Sequence, residues 1–300
     1  MKLHGRVFVG AFVGLAFSTS LLAQKRIRSV VYGEDDRKDG VEVLDAGWTD
    51  WHDRMKSVVS LWPSHQITID SSKGTASFET ETHRKREKLC KNEPFAGQKV
   101  GPFCSGSLIA KNLILTAGHC VASQKSCMAM SFVFDYRIDQ WGSVGPESVP
   151  SQQVYGCKKL IAREEEEDGA DYAIIELDRD VTDRLPVTLE KTLLPVEGDP
   201  VVSIGHPSGL PAKLADSAAI RSVEDSYFLA NLDTFYNNSG SPVFDENTGN
   251  QVGILVRGEK DFKMTWKGCR VINECAEDEC EGEAVTRIDY VLPLLKPFGI

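Results

Sequence analysis

From residue 57 onward, short apolar runs alternate with polar stretches, and this pattern predicts an all-β chain. Residues 58–62 and 75–80 are rich in β-branched and aromatic residues, and turn-forming residues such as Pro63 and Gly74 separate the runs. Runs of this length suit strands and are too short for most helices. The other runs that we predict as strands are 65–70, 104–109, 113–120, 131–134, 172–177, 187–189, 200–204, 218–223, 227–232, 241–244 and 251–257.

Three stretches depart from the strand pattern. Residues 288–296 predict a short closing helix, which Pro293 would kink or end. Residues 81–100 carry mixed charge and predict a surface insertion to which the sequence assigns no role. The acidic run 164–168 predicts a solvated loop, and a weak cation site there is an open alternative.

The first 23 residues predict a secretory signal peptide. Lys2 and Arg6 give a positive start, an apolar run follows, and Ala23 offers a cleavage point. The apolar run is short for a membrane span and charges follow it, so we expect export without a stable membrane anchor. The basic residues 24–28 predict a pro-segment that is cut after Arg28, which leaves residues 29–300 as the mature domain.

Composition and charge narrow the class of protein. The chain has 300 residues, of which 41% are hydrophobic, and a formal net charge of −10. The hydrophobic fraction is enough for a full core. The acidic balance argues against a nucleic-acid partner, which would require a basic face.

The cysteines indicate an oxidising compartment. Their number is eight, which is even, and none shows zinc-ligand spacing with a histidine. We therefore expect a secreted or periplasmic protein with disulfides and with no metal or cofactor. Cys275 and Cys280 are predicted to staple a loop, and a bridge between Cys127 and Cys157 is a hypothesis.

The candidate nucleophile is Ser239, which lies in the stretch Asn-Ser-Gly-Ser-Pro. A nucleophilic serine needs a rigid turn that presents its hydroxyl beside free backbone N–H groups. Gly240 leaves room for an incoming carbonyl, and Pro242 fixes the chain as it leaves the turn. The same residues are also good loop formers, so this motif is not decisive alone.

Two other segments raise its significance. His119 lies in Thr-Ala-Gly-His-Cys, and Asp171 comes directly before the apolar strand 172–177. An aspartate at that position becomes buried when the strand packs, as an orienting carboxylate must. Asp168 competes for this role, but it lies in the polar run and no strand follows it directly.

In the order His, Asp, Ser, these segments resemble the catalytic motifs of trypsin-like serine proteases. Residues 29–37 resemble the mature amino terminus of the bacterial V8-like, or glutamyl endopeptidase, branch. The resemblance implies two six-stranded antiparallel β-barrels, at about 45–180 and 181–285, with a C-terminal helix at about 288–296. It also implies a disulfide between Cys104 and Cys120 that braces the histidine loop.

The resemblance assigns the chemistry. Ser239 attacks the scissile carbonyl, His119 moves the proton, and Asp171 orients the imidazole. The backbone N–H groups of Asn237 and Ser239 would form the oxyanion hole. Asn237 stands where the family usually has glycine, so a catalytically silent homologue that acts as a binding module is an alternative.

The same resemblance implies a specificity pocket. It would be built from the segment before the nucleophile and from the strand that ends near Gly258, and its residues would be Asp233, Thr234, Leu255, Val256, Arg257 and Gly258. Asp233 lies six positions before Ser239, where trypsins carry the aspartate of the pocket floor, and this predicts cleavage after Arg or Lys. Cleavage after Glu is the alternative, because Thr234 matches Glu-specific enzymes and Arg257 could neutralise Asp233. Leu255, however, stands where Glu-specific enzymes have a histidine. We expect a monomer whose partners are protein or peptide substrates.

Overall fold

The structure is a computed structural model that describes residues 31–258, 260–276 and 280–300. The predicted signal peptide, the predicted pro-segment and the predicted mature start at Ser29 lie outside the described residues. No helix among the described residues has the length and apolar character that crossing a membrane requires. The α-helices of the described part are α1 (Gly40–Asp45), α2 (Thr49–Met55), α3 (His83–Glu87), α4 (Gln124–Met128) and α5 (Ile288–Leu295).

Strands make up most of the regular structure, as the short apolar runs predict. In the first part of the chain they are β1 (Val31–Tyr32), β2 (Lys38–Asp39), β3 (Val58–Pro63), β4 (Ile67–Asp70), β5 (Thr75–Phe78), β6 (Glu81–Thr82), β7 (Lys99–Val100), β8 (Cys104–Ala110), β9 (Leu113–Thr116), β10 (Met130–Val133), β11 (Ser148–Pro150), β12 (Val154–Glu165) and β13 (Asp171–Leu177). In the second part they are β14 (Pro200–Gly205), β15 (Lys213–Val223), β16 (Tyr227–Ala230), β17 (Pro242–Asp245), β18 (Gln251–Arg257), β19 (Phe262–Met264), β20 (Arg270–Ile272), β21 (Glu274–Cys275) and β22 (Glu283–Arg287).

The first barrel closes six antiparallel strands in the order β10, β12, β13, β9, β8 and β3, and β3 pairs back with β10. Alternate residues of each strand face the interior, and these inward side chains are mostly apolar. Leu61, Leu108 and Ile174 have no exposed surface. This packing fixes the ends of β9 and β13, where His119 and Asp171 lie.

The second barrel follows the order β14, β17, β18, β22, β16 and β15, and pairing of β15 with β14 closes it. Phe228, Val243 and Val285 are fully buried in its interior. The two barrels share one apolar cluster, which joins Ile114 of the first barrel to Phe244 of the second. The cleft that contains the candidate site therefore lies between two packed units.

The predicted fold class is confirmed: the chain is all-β, with two six-stranded antiparallel barrels and a short C-terminal helix. Pro293 is accommodated inside α5. One local prediction is wrong, because residues 187–189 form no strand and Leu189 makes only a single bridge to Gln251. The helices α1 to α4 were not predicted. For α1 and α2 the reason is that the apolar pattern before residue 57 is weak.

The acidic run differs from its prediction in part, because only Glu166, Glu167 and Asp168 lie in an exposed loop. Glu164 and Glu165 end strand β12 and pair with Tyr172 and Asp171 instead of lying in a loop. The interior of the first barrel sets this pairing, and it overrides the low strand propensity of glutamate. Among the described residues, the run does not bring three carboxylates close enough to share an ion.

All eight cysteines are paired in the structure. Cys104 is bonded to Cys120 as the resemblance implies, and the other bridges are Cys127–Cys157, Cys275–Cys280 and Cys90–Cys269. The last of these was not predicted. It ties the insertion at 81–100 to the hairpin formed by β19 and β20. The two cysteines are 179 residues apart along the chain.

The first described residues, 31–39, wrap the second barrel and are called the N-terminal strap below. Its two short strands pair at separate places, β1 with β21 and β2 with β15. Lys213, which is almost completely buried, forms an ion pair with Asp39 and anchors the strap to the barrel. The strap thereby reaches the segment that precedes Ser239.

Candidate active site

His119 and Asp171 meet at one end of the first barrel. His119 lies in the tight turn after β9, Asp171 is the first residue of β13, and these two strands are paired. The histidine Nδ1 lies 2.6 Å from one carboxylate oxygen of Asp171. The other oxygen accepts hydrogen bonds from the backbone N–H groups of Gly118, at 2.5 Å, and His119, at 3.1 Å. A carboxylate at Nδ1 keeps the proton on that nitrogen, which leaves Nε2 able to act as a base.

The second barrel holds Asp171 in place. The side chain is 3% exposed. The Thr286 hydroxyl, on β22, accepts a hydrogen bond from the Asp171 backbone N–H and donates one to its carbonyl, both at 3.1 Å. Asp168, the competing candidate, is exposed. Only Asp171 therefore has the buried position that an orienting carboxylate requires.

The turn at Ser239 is held against the first barrel. The Ser105 N–H donates to the Ser239 carbonyl oxygen at 2.8 Å, and the Cys120 sulfur lies 3.7 Å from the same oxygen. Gly240 adopts a φ of 88°, and a Cβ there would come within 2.1 Å of the Ser105 carbonyl oxygen. The turn therefore requires glycine after the serine.

The Cys104–Cys120 disulfide completes this arrangement. Its two cysteines are the chain neighbours of Ser105 and His119, so it links the contact to Ser239 with the histidine turn. Within the described residues, the Ser239 hydroxyl makes no hydrogen bond to His119. Such catalytic bonds are often long without substrate and tighten when substrate binds.

One backbone hydrogen bond fixes the orientation of the peptide between Tyr236 and Asn237. The Tyr236 carbonyl oxygen accepts a hydrogen bond from the Ser208 N–H at 2.7 Å. Because the N–H of a trans peptide points opposite to its carbonyl, the Asn237 N–H faces away from Ser208. Asn237 reaches this geometry with a φ of 66°, a value that asparagine tolerates better than most residues. In the described part of the chain, neither Asn237 N–H nor Ser239 N–H donates a hydrogen bond.

The sequence did not predict the hydrogen bond that the Ser208 N–H donates to the Tyr236 carbonyl. The stretch from Gly205 to Pro211 was identifiable as a turn, but its contact with Tyr236 depends on the tertiary fold. His206 fixes this turn through a 3.0 Å hydrogen bond between its Nδ1 and the Leu210 carbonyl. Burial lowers the pKa of His206 to about 4, so it is a neutral structural residue.

A cavity of about 150 Å³ opens beside Ser239. All the predicted pocket residues except Asp233 line it: Thr234, Leu255, Val256, Arg257 and Gly258. Two carboxylates that were not predicted, Asp261 and Glu283, also line it. No local motif marks them, because Asp261 lies in a loop and Glu283 lies on β22, which reaches the pocket only through its pairing with β18.

Glu283 is 2% exposed and lies against Gly258. A Cβ on Gly258 would fall 1.9 Å from the Glu283 Oε2, so this strand must lack a side chain there. The Thr234 hydroxyl donates to the same oxygen at 2.7 Å. Asp261 accepts a hydrogen bond from the Tyr236 N–H at 2.9 Å, and burial raises the pKa of Asp261 to about 7.

The predicted place of Asp233 at the pocket floor is wrong. Its carboxylate turns to the N-terminal strap, where it accepts hydrogen bonds from the backbone N–H groups of Tyr32, at 2.7 Å, and Asp36, at 3.1 Å. Arg257 does not neutralise it, since the guanidinium donates to the carbonyls of Glu166 and Gly169. The Asp233 side chain, which linear spacing places in the pocket, therefore binds the strap instead.

Asp36, which is half-buried, and Asp233, which is buried, form an acidic pair. Burial, followed by the negative charges of Asp233 and Asp216, raises the pKa of Asp36, and Lys38 offsets part of this. Burial also raises the pKa of Asp233, against its two backbone hydrogen bonds and the charge of Arg37, while Asp35 acts in the same direction as burial. The pair is therefore protonated more readily in the folded than in the unfolded chain.

This linkage predicts a pH dependence of stability. Because the folded-state pKa is raised, the contribution of the pair is full below about pH 4 and is lost as the pH rises towards 9. Asp36→Asn keeps a neutral donor beside Asp233. We expect it to raise the free energy of unfolding at pH 9 by about 1 kcal/mol or more, and to change it little at pH 4. Urea unfolding of both proteins at the two pH values measures this, and an equal effect at both would contradict it.

Comparisons with known proteins agree with this fold. The trypsin-like peptidase domain family matches residues 104–254. A solved Glu endopeptidase, in complex with MPD, is 17% identical with a TM-score of 0.50, over 90% of this chain and 99% of that one. The Vibrio cholerae VesB protease is 15% identical with a TM-score of 0.50, over 91% of this chain and 68% of that one. No curated protein sequence matches the chain. At these identities, the two structures support the fold alone.

Proposed function

This chain belongs to the trypsin-like peptidase family, and on that premise we propose that it is a secreted serine endopeptidase. The observation that carries the proposal is the 2.6 Å contact between His119 and the buried Asp171, in a cleft that Ser239 faces from the second barrel. The orientation of the Asn237 peptide supports activity over the alternative of a silent binding module.

The residues of the site account for each step of peptide-bond hydrolysis. Ser239 Oγ bonds to the scissile carbonyl carbon while its proton passes to His119 Nε2, and Asp171 stabilises the imidazolium. The N–H groups of Asn237 and Ser239 donate to the oxyanion. The C–N bond then breaks and the leaving amine takes the proton, which leaves an acyl-enzyme. Water, activated by His119, releases the acid and restores Ser239.

We propose cleavage after Arg or Lys, as the sequence suggests, but through a different carboxylate. Glu283 lies in the wall of the pocket beside Ser239, almost completely buried. A carboxylate shielded from water favours a guanidinium or ammonium group through a charge-assisted hydrogen bond. It would repel a glutamate side chain, so the Glu-specific alternative has less support.

Export also belongs to the proposal. Four disulfides are typical of proteins that fold in an oxidising compartment, which fits the predicted signal peptide. Cleavage after Arg28 stays a prediction.

A fluorophosphonate, which reacts with activated serines, tests the proposal. We expect one label per folded chain, located on Ser239 by mass spectrometry, because His119 makes that hydroxyl nucleophilic. His119→Ala should label at least about 100-fold more slowly, since general-base catalysis contributes roughly that much. Equal labelling of the two proteins, or labelling only at another serine such as Ser241, would contradict the assignment.

A further inference from the structure

Two segments near the pocket form one unit, which we call the cationic lobe: residues 83–91, which include α3, and residues 262–272, which include β19 and β20. The Cys90–Cys269 disulfide joins them. Backbone hydrogen bonds reinforce the bridge, from Cys90 N–H to the Arg270 carbonyl at 2.8 Å and from Arg270 N–H to the Lys88 carbonyl at 2.9 Å. The lobe therefore presents its side chains from a fixed backbone.

The charge of the lobe is opposite to that of the chain. Its two segments contain eight lysine and arginine residues and one acidic residue, Glu87, whereas the whole chain has a net charge of −10. Most of these cations are exposed, so burial does not explain them. The exposed ones are Arg84, Lys85, Lys88, Lys91, Lys263 and Lys267.

Several of these side chains line one open groove of about 620 Å³. Arg84, Lys91 and Lys267 lie around it, together with Trp266, whose side chain is 92% exposed. The groove also contains Glu93, but its carboxylate accepts a hydrogen bond from the Ile272 N–H at 2.8 Å and is engaged in the lobe itself. The groove thus offers mostly positive charge and one aromatic face.

The lobe borders the specificity pocket. Tyr236, in the pocket wall, donates its phenolic hydrogen to Glu87 of the lobe. Arg270 holds the other oxygen of Glu87 at 3.1 Å. The second segment of the lobe begins one residue after Asp261, which lines the pocket. The lobe therefore lies directly beside the wall of the pocket.

We propose that the cationic lobe is an exosite that binds acidic segments of protein substrates and directs them to the cleft. This rests on the proposed endopeptidase function. Positive groups beside a cleft raise the encounter rate and the occupancy of anionic partners, and the effect falls with added salt. The position at the pocket rim favours a substrate segment over a lipid or polysaccharide surface, which would need no contact with the pocket.

The test compares two peptides that share one Arg cleavage sequence, one flanked by glutamates and the other by glutamines. For the wild type at low salt, we expect kcat/KM to be roughly tenfold higher for the acidic peptide, through KM, and the advantage to vanish at high salt. Lys91→Glu/Lys263→Glu/Lys267→Glu should remove the advantage and leave cleavage of the glutamine peptide unchanged. These lysines are exposed, so the fold should tolerate the changes.

The matched control is Lys111→Glu/Lys125→Glu/Lys159→Glu, which makes the same change of charge at exposed sites on the first barrel. It should keep most of the preference for the acidic peptide. Equal losses in both triple variants, or no preference in the wild type, would overturn the exosite. Binding of the wild type to anionic vesicles or to heparin, together with equal cleavage of the acidic and the glutamine peptide, would also overturn it. Failure to cleave either peptide would instead contradict the proposed endopeptidase function.

Discussion

Replacing Ser239 by alanine is expected to lower kcat for peptide hydrolysis by about a millionfold, the size of effect seen when a triad serine is lost elsewhere. The reason is that no acyl-enzyme can form without the hydroxyl. His119→Ala should cost about as much, because a serine without its base is a poor nucleophile. The double variant should be little worse than either single one, since the two residues act as one unit. Initial rates on a peptide that the wild type cleaves measure all three.

The control is the stability of the variants. Ser239 and His119 are partly exposed, and backbone hydrogen bonds hold the turn around Ser239. The free energy of unfolding, measured with urea, should therefore change by less than about 1 kcal/mol in each variant. Full turnover by Ser239→Ala would refute the nucleophile. Additive losses in the double variant would show that the two residues do not work in one step.

Glu283→Gln is expected to reduce kcat/KM for Arg and Lys peptides by about 100-fold or more. The amide keeps the shape of the side chain and can still accept from Thr234, but a buried cationic substrate loses its counter-charge, which costs about 2–5 kcal/mol. Peptides with an uncharged residue before the cleaved bond should lose much less. Steady-state rates on a matched set of Arg, Lys, Gln and Glu peptides give the comparison.

Two further variants isolate the charge. Glu283→Asp keeps the carboxylate on a shorter side chain and should retain a preference for Arg or Lys over Gln. Asp233→Asn changes a carboxylate that faces the strap, so it should leave the ranking of the substrates unchanged. Dominant cleavage after Glu in the wild type, or an unchanged ranking in Glu283→Gln, would contradict the role of Glu283.

The features predicted well from the sequence are local ones. The surroundings of His119, Asp171 and Ser239 are set by a few contiguous residues: a turn after one strand, a carboxylate before another, and a glycine after the serine. The strand pattern likewise predicted the fold class, because short runs rich in β-branched and aromatic residues, separated by turn residues, are typical of strands. The resemblance then supplied the number of strands in each barrel.

The features that were missed depend on contacts between distant parts of the chain. Asp233 is the clearest case, since its spacing from Ser239 is right but its side chain turns to Tyr32, 201 residues earlier. Cys90 pairs with Cys269 over 179 residues, and nothing near either cysteine indicates the other. Glu283 reaches the pocket only because β22 pairs with β18 in the closed barrel. Side-chain direction follows tertiary packing, which linear spacing does not encode.

Digestion of a diverse peptide library by the folded protein, with the cut sites read by mass spectrometry, tests the central claim most directly. Wild type and Ser239→Ala are run side by side, so that any contaminating peptidase shows in both digests. The proposed function predicts cuts concentrated after Arg and Lys in the wild type and none above background in the variant. The same cuts in both digests, or an intact library after treatment with folded wild-type protein, would contradict it.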